Sequence, residues 1–256
     1  MKQPLAYVHP AAKIASNVVI DPFVTIDQNV EIGEGTRIGS NVTILEGARI
    51  GKNCTICSGA VISGVPQDLK FRGEDSVAII GDNTTIRECV TINRGTASKG
   101  KTVVGSNCLI MAYCHVAHDC KLGNHIITSN ACQIAGEVVI DDYATIGGGS
   151  LIHQFSHIGT QVMMQGGSRV PKDIPPYAMV GREPLRFIGI NSVGLKRRGF
   201  SNEQIDAIQR TYRLIYQDGL NFTQAIELAE KEVPECIEKK TIIDFIKSSS
   251  RGIINN

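Results

Sequence analysis

The stretch HVAHDC, residues 115 to 120, places His115, His118 and Asp119 within five positions. Three chemistries fit that cluster. Two histidines and a carboxylate can ligate a metal, zinc above all, if other ligands complete the shell. A neutral imidazole can take a proton near pH 7 with a carboxylate to orient it. The same residues can also sit on a surface and do nothing. The choice depends on the backbone that carries them.

Composition narrows the classes. The chain has 256 residues, enough for one large domain or a domain with an appendage. A formal charge of +1 gives no general basic field for nucleic acid and no acidic tail. No apolar run approaches the roughly 18 residues of a membrane span. The N-terminal MKQPLAYVHPAAKIASNVVI lacks the basic-then-apolar order of a signal peptide, so the expected compartment is the cytosol. Trp is absent and Gly reaches 26, which points to a regular, tightly turning backbone.

A repeat supplies that backbone. From Val8 an aliphatic residue recurs every six positions through Ile14, Ile20, Ile26 and onward to Ile62. The series resumes at Ile80, Ile86 and Ile92, and again from Val104 through Val116, Ile134 and Ile152 to Val170. Thr128 is the polar exception in the last run. A period of six suits neither a helix nor a long strand, and it marks the hexapeptide form of a parallel β-helix. Each hexapeptide gives one short strand and one turn, and three make a triangular coil of about 18 residues. The aliphatic residue points inward. Period-two alternation turns the residue two before it inward as well. Cys54, Cys108, Cys114, Cys120 and Cys132 occupy that second position and read as small buried filler. Cys57, Cys89 and Cys236 fall outside it, and all eight are expected reduced.

The series predicts apolar residues at 68, 74 and 98 and meets Asp68, Glu74 and Ser98. Residues 65–76 and 94–102 are therefore expected to leave the coil as loops, which a solenoid can eject without disturbing its stack. For the second loop, a tolerated insertion and a binding role fit equally. The solenoid is assigned to residues 1–190 and a helical domain to 191–256. In the latter, Ser201 and Gln204 form a capping box, with Ile205, Ile208, Tyr212 and Ile215 at helical spacing and Gly219 suited to a C-cap. Further helices are expected over about 222–232 and 235–247, the last with Ile237, Ile242, Phe245 and Ile246 as its apolar face. These faces should cover the solenoid end or a neighbouring chain.

Positions one coil apart stack roughly 4.8 Å from rung to rung, which converts sequence into a surface map. His118 stacks on Gly136 and then Gln154, with His153 beside it; Asp119 stacks on Glu137, a second carboxylate that can repel it. Gly148 and Gly166 stack on another edge, where a column without side chains makes a groove. Because Val116 points inward, His115 and His118 face outward, to a groove or a neighbour. A groove-facing imidazole, a carboxylate and a backbone N–H at Gly136 suit acyl transfer to a hydroxyl. Metal ligation by His115, His118 and a histidine from another chain stays open at this point.

QDLKFRGE, IRECVTINRGT, HVAHDC, IGGGSLIHQF, DIPPY and GLKRRGFS together closely resemble the UDP-N-acetylglucosamine O-acyltransferase family, over essentially the whole chain. The resemblance implies an all-β solenoid, a left-handed parallel β-helix with a C-terminal helical domain, and a homotrimer with active sites in clefts between subunits. It implies transfer of an (R)-3-hydroxyacyl group from acyl carrier protein to the 3-hydroxyl of UDP-N-acetylglucosamine in lipid A synthesis, with no cofactor and no metal. It makes His118 the general base, Asp119 its partner and Gly136 the oxyanion amide. Asp68, Lys70, Gln154, Asn191 and Arg198 match positions holding the nucleotide sugar, and His115 and His153 match groove histidines. Arg197 and Arg198 also suit an anionic diphosphate or phosphopantetheine. Gly148, Met163 and Gly166 match the acyl channel, and glycine at 166 implies a long acyl chain. Glu137 and Val193 depart from the family, which has histidine and an acidic residue there. The alternatives are a later-pathway N-acyltransferase of the same fold, a zinc-dependent carbonic-anhydrase-like enzyme, and a non-catalytic scaffold.

Overall fold

Each hexapeptide folds as a two-residue strand followed by a turn, because its inward aliphatic residue must return to the axis every sixth position. The computed structural model describes residues 4–216 and 220–256. Its short strands stack into three sheets, called I, II and III here, that form the sides of a left-handed parallel β-helix. Sheet I starts with Tyr7–Val8, sheet II with Lys13–Ile14 and sheet III with Val19–Ile20. Tyr7 pairs with Thr25 and Val19 with Arg37, the register expected of an 18-residue coil. Turn residues adopt the left-handed region at nearly every corner, and Asn29, Asn41, Asn53, Asn83 and Asn107 fill it where side chains must tolerate it.

The core is the stacked inner column. Ile38, Ile44, Ile56, Ile62, Ile86, Ile110 and Ile134 are fully buried, each contributing about 1.5–3 kcal/mol of transfer free energy. Cys54, Cys108, Cys114, Cys120 and Cys132 are buried in it as free thiols. Thr128, the polar exception, is also buried and donates its hydroxyl to Cys114 Sγ at 3.6 Å.

The register locates both ejected loops. Val61 pairs with Thr91, and Thr91 with His115, so the first loop removes two hexapeptides from the stack and the second removes one. The first matches the expected 65–76. The second is shorter than expected: Lys101 and Thr102 belong to the strand Lys101–Val104, paired with Val77 and Ala78. A backbone that finds a ladder partner at the next rung rejoins the sheet as soon as it can.

Sheet III ends in a hairpin of Ala178–Gly181 with the antiparallel strand Arg186–Ile190. Four helices follow: α1 (Ser192–Arg197), α2 (Asn202–Ile215), α3 (Phe222–Glu232) and α4 (Ile237–Ser248). Ser201 and Gln204 form the capping box of α2. Gly219, expected as a cap, lies outside the described residues. The helices share a second core with Tyr177, and Tyr212 donates its hydroxyl to the Pro176 carbonyl, so they cover the solenoid end. The tail then returns: Ile254 packs in the solenoid core, and its N–H bonds the Asp173 carbonyl at 3.0 Å. Ile237 is a correction. It is 79% exposed, whereas Ile242, Ile243, Phe245 and Ile246 are buried. Ile237 is the first residue of α4, and five positions before Ile242 it lies about 140° around the helix from that face.

Candidate active site

The strand His115–Val116 carries the site at the corner between sheets I and II. Val116 is buried in the axis, so His115 points out and the turn after it presents His118 and Asp119. His118 is outside the coil as expected, but it is only 8% exposed rather than open to a groove. The two ejected loops cover it. Asp68 of the first loop approaches its Nε2 at 3.9 Å. The second loop reaches it through Asp119.

Asp119 has a buried side chain with four hydrogen-bonding partners. Its Oδ1 accepts from the backbone N–H groups of Thr96 at 3.0 Å and Lys99 at 3.2 Å. Its Oδ2 accepts from Thr96 Oγ1 at 2.6 Å and contacts His118 Nδ1 at 2.8 Å. Three partners donate to this carboxylate, and an ionised carboxylate only accepts. The hydrogen on His118 therefore sits on Nδ1, and Nε2 keeps its lone pair. The second loop is thus part of the site. An insertion without a role would leave a buried carboxylate short of donors, at a cost of about 1–3 kcal/mol or more. The expected repulsion from Glu137 has no contact behind it: Glu137 donates its N–H to the His118 carbonyl at 3.0 Å, and among the described residues its side chain makes no hydrogen bond or ion pair with Asp119.

Gly136 lies one rung above. A Cβ there would fall 2.7 Å from both Cε1 and Nε2 of His118, so only glycine leaves the imidazole in place. At three equivalent turn positions on the corner between sheets II and III, an Asn or Asp side chain one rung on accepts the turn N–H: Asp82 takes that of Lys52, Asn124 that of Ser106 and Asp142 that of Asn124. At Gly136 the stacked residue is Gln154, and no acceptor among the described residues takes the N–H.

The imidazole opens onto a groove of about 730 Å³ along the outer face of sheet I. Its walls include His115, Gly136, His153 and Gln154, together with Gln67 of the first loop. Burial, and then repulsion from His118, holds the His115 imidazole below the ordinary histidine range; its Nδ1 pairs with Thr91 Oγ1 at 2.7 Å. Beyond them the groove is largely apolar, running over Ala135, Leu151 and Val170 to Pro184 and Leu185, with Arg169 and Glu183 also in its lining. Leu151 and Arg169, not singled out from the sequence, fall in register with His115 through Gln133 and were accessible to the same 18-residue count. Thr96 and Lys99 gave no such signal, since they lie off the repeat.

The other expected residues lie elsewhere on the single chain. Lys70 is exposed on the first loop and outside the groove. Met163 faces out from sheet III, and Gly148 and Gly166 sit at the corner between sheets III and I. That glycine edge is tighter than a groove: a Cβ on Gly166 would meet the Gly148 carbonyl at 3.0 Å, and one on Gly148 the Asn130 carbonyl at 3.1 Å. Open space begins at Gly149 and Gly167. Asn191 is buried, caps α1 through Gly194 N–H and donates to the Gln161 carbonyl at 2.9 Å. Arg197 and Arg198 end α1 and are exposed; burial of part of its stem holds Arg198 slightly below the ordinary arginine range.

Comparison with known proteins bears on this arrangement. The model of the second domain of the Udp N-acetylglucosamine O-acyltransferases matches residues 173–254. Models of the bacterial transferase hexapeptide (residues 101–130) and the GMPPB C-terminal domain (residues 2–106) match within the solenoid. The acyl-[acyl-carrier-protein]--UDP-N-acetylglucosamine O-acyltransferase of Trichlorobacter lovleyi is 50% identical over 97% of each chain. That of Stenotrophomonas maltophilia is 41% identical over 98% of this chain and 96% of its own. The crystal structure of the UDP-N-acetylglucosamine acyltransferase of Bacteroides fragilis 9343 superposes with a TM-score of 0.98 at 56% identity, covering all of both chains. With this similarity spanning solenoid, loops and helical tail alike, the chain belongs to the UDP-N-acetylglucosamine O-acyltransferase family.

Proposed function

We propose that the chain moves an (R)-3-hydroxyacyl group from the thioester of acyl carrier protein to the 3-hydroxyl of UDP-N-acetylglucosamine, with His118 as general base. The observation that carries this reading is the contact of Asp119 Oδ2 with His118 Nδ1 at 2.8 Å, which favours the hydrogen on Nδ1 and leaves the Nε2 lone pair free on a residue that lines the groove. Nε2 takes the sugar hydroxyl proton as its oxygen attacks the thioester carbon. The C–O bond forms, the C–S bond breaks, and the proton passes from the imidazolium to the leaving thiolate. Asp119 and Asp68 stabilise the imidazolium in between. The Gly136 N–H, which no acceptor among the described residues takes, supports its assignment as a donor to the developing oxyanion. No cofactor enters, because the thioester already supplies the activated acyl group.

The groove's largely apolar floor beyond His153 suits an acyl chain, and glycine at 166, by the family resemblance, favours a long one. Asn191, Arg197 and Arg198 are assigned to the nucleotide, and Met163 to the acyl channel. In one chain these residues stand on a different face from His118, which supports a site shared between copies. The outward row of Leu109, Ile127, Thr145, Met163 and Met179 on sheet III is apolar apart from Thr145, as suits an assembly face. We assign a homotrimer on these grounds and place the enzyme in the cytoplasm, where its carrier substrate is made. No helix among the described residues is long and apolar enough to cross a membrane.

Replacing His118 by Ala tests the reading. With UDP-N-acetylglucosamine and a ladder of 3-hydroxyacyl carrier substrates, turnover should fall by at least about two orders of magnitude while the oligomer stays intact. Unchanged turnover with the best donor would remove the general base from the mechanism.

A further inference from the structure

Arg198 has an aromatic support that the acyl-transfer chemistry does not call for. Its guanidinium carbon stands 5.4 Å from the Tyr143 ring centroid, and its Nη2 donates to the Tyr143 carbonyl at 3.3 Å. His125 stacks on the Tyr143 ring at 4.5 Å with the two rings 2° from parallel. Neither ring lines the His118 groove. Both belong to one column at the corner between sheets II and III, where other rungs carry Asn53, Asn83, Asn107 and Gln161. Asn53, Asn83, Asn107, His125, Tyr143 and Gln161 have φ between 53° and 63°, with His125 at 57° and Tyr143 at 63°. Asparagine suits this left-handed conformation and bulky side chains do not. The column gives up asparagine for rings at the two rungs stacked beneath Arg198.

A guanidinium offers five N–H donors in a fixed fork. Among the described residues the Arg198 guanidinium makes one hydrogen bond, to the Tyr143 carbonyl, and pairs with no carboxylate. The remaining donors are free for an anion. We infer that Tyr143, backed by His125, is a positioning residue that holds the Arg198 fork toward the diphosphate of the nucleotide sugar. The inference rests on the assignment of Arg198 to that diphosphate. The ring face does the holding, so the Tyr hydroxyl is dispensable.

The test uses the full-length enzyme with Tyr143→Asn, Tyr143→Phe, Arg198→Ala and the Tyr143→Asn/Arg198→Ala double variant. Asparagine is chosen because neighbouring rungs carry it, so the coil should fold. Steady-state kinetics give KM for UDP-N-acetylglucosamine and for the acyl carrier substrate, and titration with UDP alone gives its Kd. Tyr143→Asn should raise the KM for the nucleotide sugar and the Kd for UDP about 3- to 10-fold, the scale of an exposed to half-buried cation–π contact. The KM for the acyl carrier and kcat should hold, and Tyr143→Phe should match the unmodified enzyme. Arg198→Ala should raise both nucleotide constants further, and adding Tyr143→Asn to it should change nothing more. If Arg198→Ala raises them and Tyr143→Asn does not, or if the two effects simply add, Tyr143 does not act through Arg198 and the inference is overturned. If Arg198→Ala leaves both constants unchanged, the assignment of Arg198 itself fails.

Discussion

Replacing Asp119 by Asn probes the site through one proton. The substitution keeps size and shape but changes which atoms can accept. Oδ1 faces two backbone N–H groups, of Thr96 and Lys99, which cannot reverse their polarity. The amide oxygen must therefore take the Oδ1 position, and the NH₂ group takes that of Oδ2. There it meets Thr96 Oγ1, a hydroxyl that can rotate to accept, and His118 Nδ1. An N–H facing an N–H is repulsive, so the imidazole moves its hydrogen to Nε2 and accepts at Nδ1. Nε2 then has no lone pair for the sugar hydroxyl. In the Ser-His-Asp triad the same reversal drops kcat about 10⁴-fold, so a loss of about 10³- to 10⁴-fold in kcat is expected here. KM for the nucleotide sugar should stay within about threefold, since a base of this kind acts on the chemical step. The loss of the charge-assisted bonds should cost about 1–3 kcal/mol of stability, and the protein remains folded. The assay is single-turnover acyl transfer across pH 6 to 9, with thermal denaturation alongside. A folded Asn variant within about tenfold of the unmodified rate would refute both the tautomer assignment and the role of His118 that depends on it.

Three other perturbations follow from the same geometry. Gly136→Ala puts a Cβ 2.7 Å from the His118 ring, which Asp119 holds in place; kcat should fall at least about 100-fold, with a loss of about 1–3 kcal/mol of stability from the overpacking, measured by turnover and calorimetry. His115 titrates below the ordinary histidine value of 6.5 because burial disfavours its charge. The unfolded chain then binds the extra proton first, so the contribution of His115 to stability is complete above about pH 6.5 and is lost as pH falls below it. In melts at pH 7.5 and 5.5, the unmodified protein should lose ground to His115→Gln at the lower pH, and an unchanged gap would contradict the sign. Among the cysteines, exposed Cys89 should react with a thiol reagent within minutes, while Cys120, buried and pushed up to about 12, should wait for unfolding; mass spectrometry of partly labelled protein separates them.

The solenoid was legible because its rule is local and repeated. Each sixth residue must be small enough and apolar enough to fill the axis, and the stacking of Val116 between Ile92 and Ile134 follows from counting alone. The same count put His118, Gly136 and Gln154 in one column and turned Cys114 and Cys120 inward. It could not say what covers the column. Ile237 illustrates a smaller version of that gap: the helix was legible from its periodicity, but the side of it that faces the core depends on where the first turn begins.

The second loop shows why the missing part matters for chemistry. Residues 94–100 break the repeat, and a break by itself is consistent with mere tolerance. What gives the break its meaning is the burial of Asp119, which no short-range pattern encodes. A carboxylate withdrawn from water needs donors, and the turn of Asp119 supplies only His118, its own N–H being bonded to Thr102 Oγ1 at 2.8 Å. Thr96 and Lys99 supply them across one rung, and they can do so only because the chain leaves the coil for a single hexapeptide before rejoining at Lys101. A longer excursion would have to find its own packing, and a shorter one could not reach. The loop length is therefore set by Asp119, the carboxylate that holds His118, and the site's electrostatics are settled where the repeat stops.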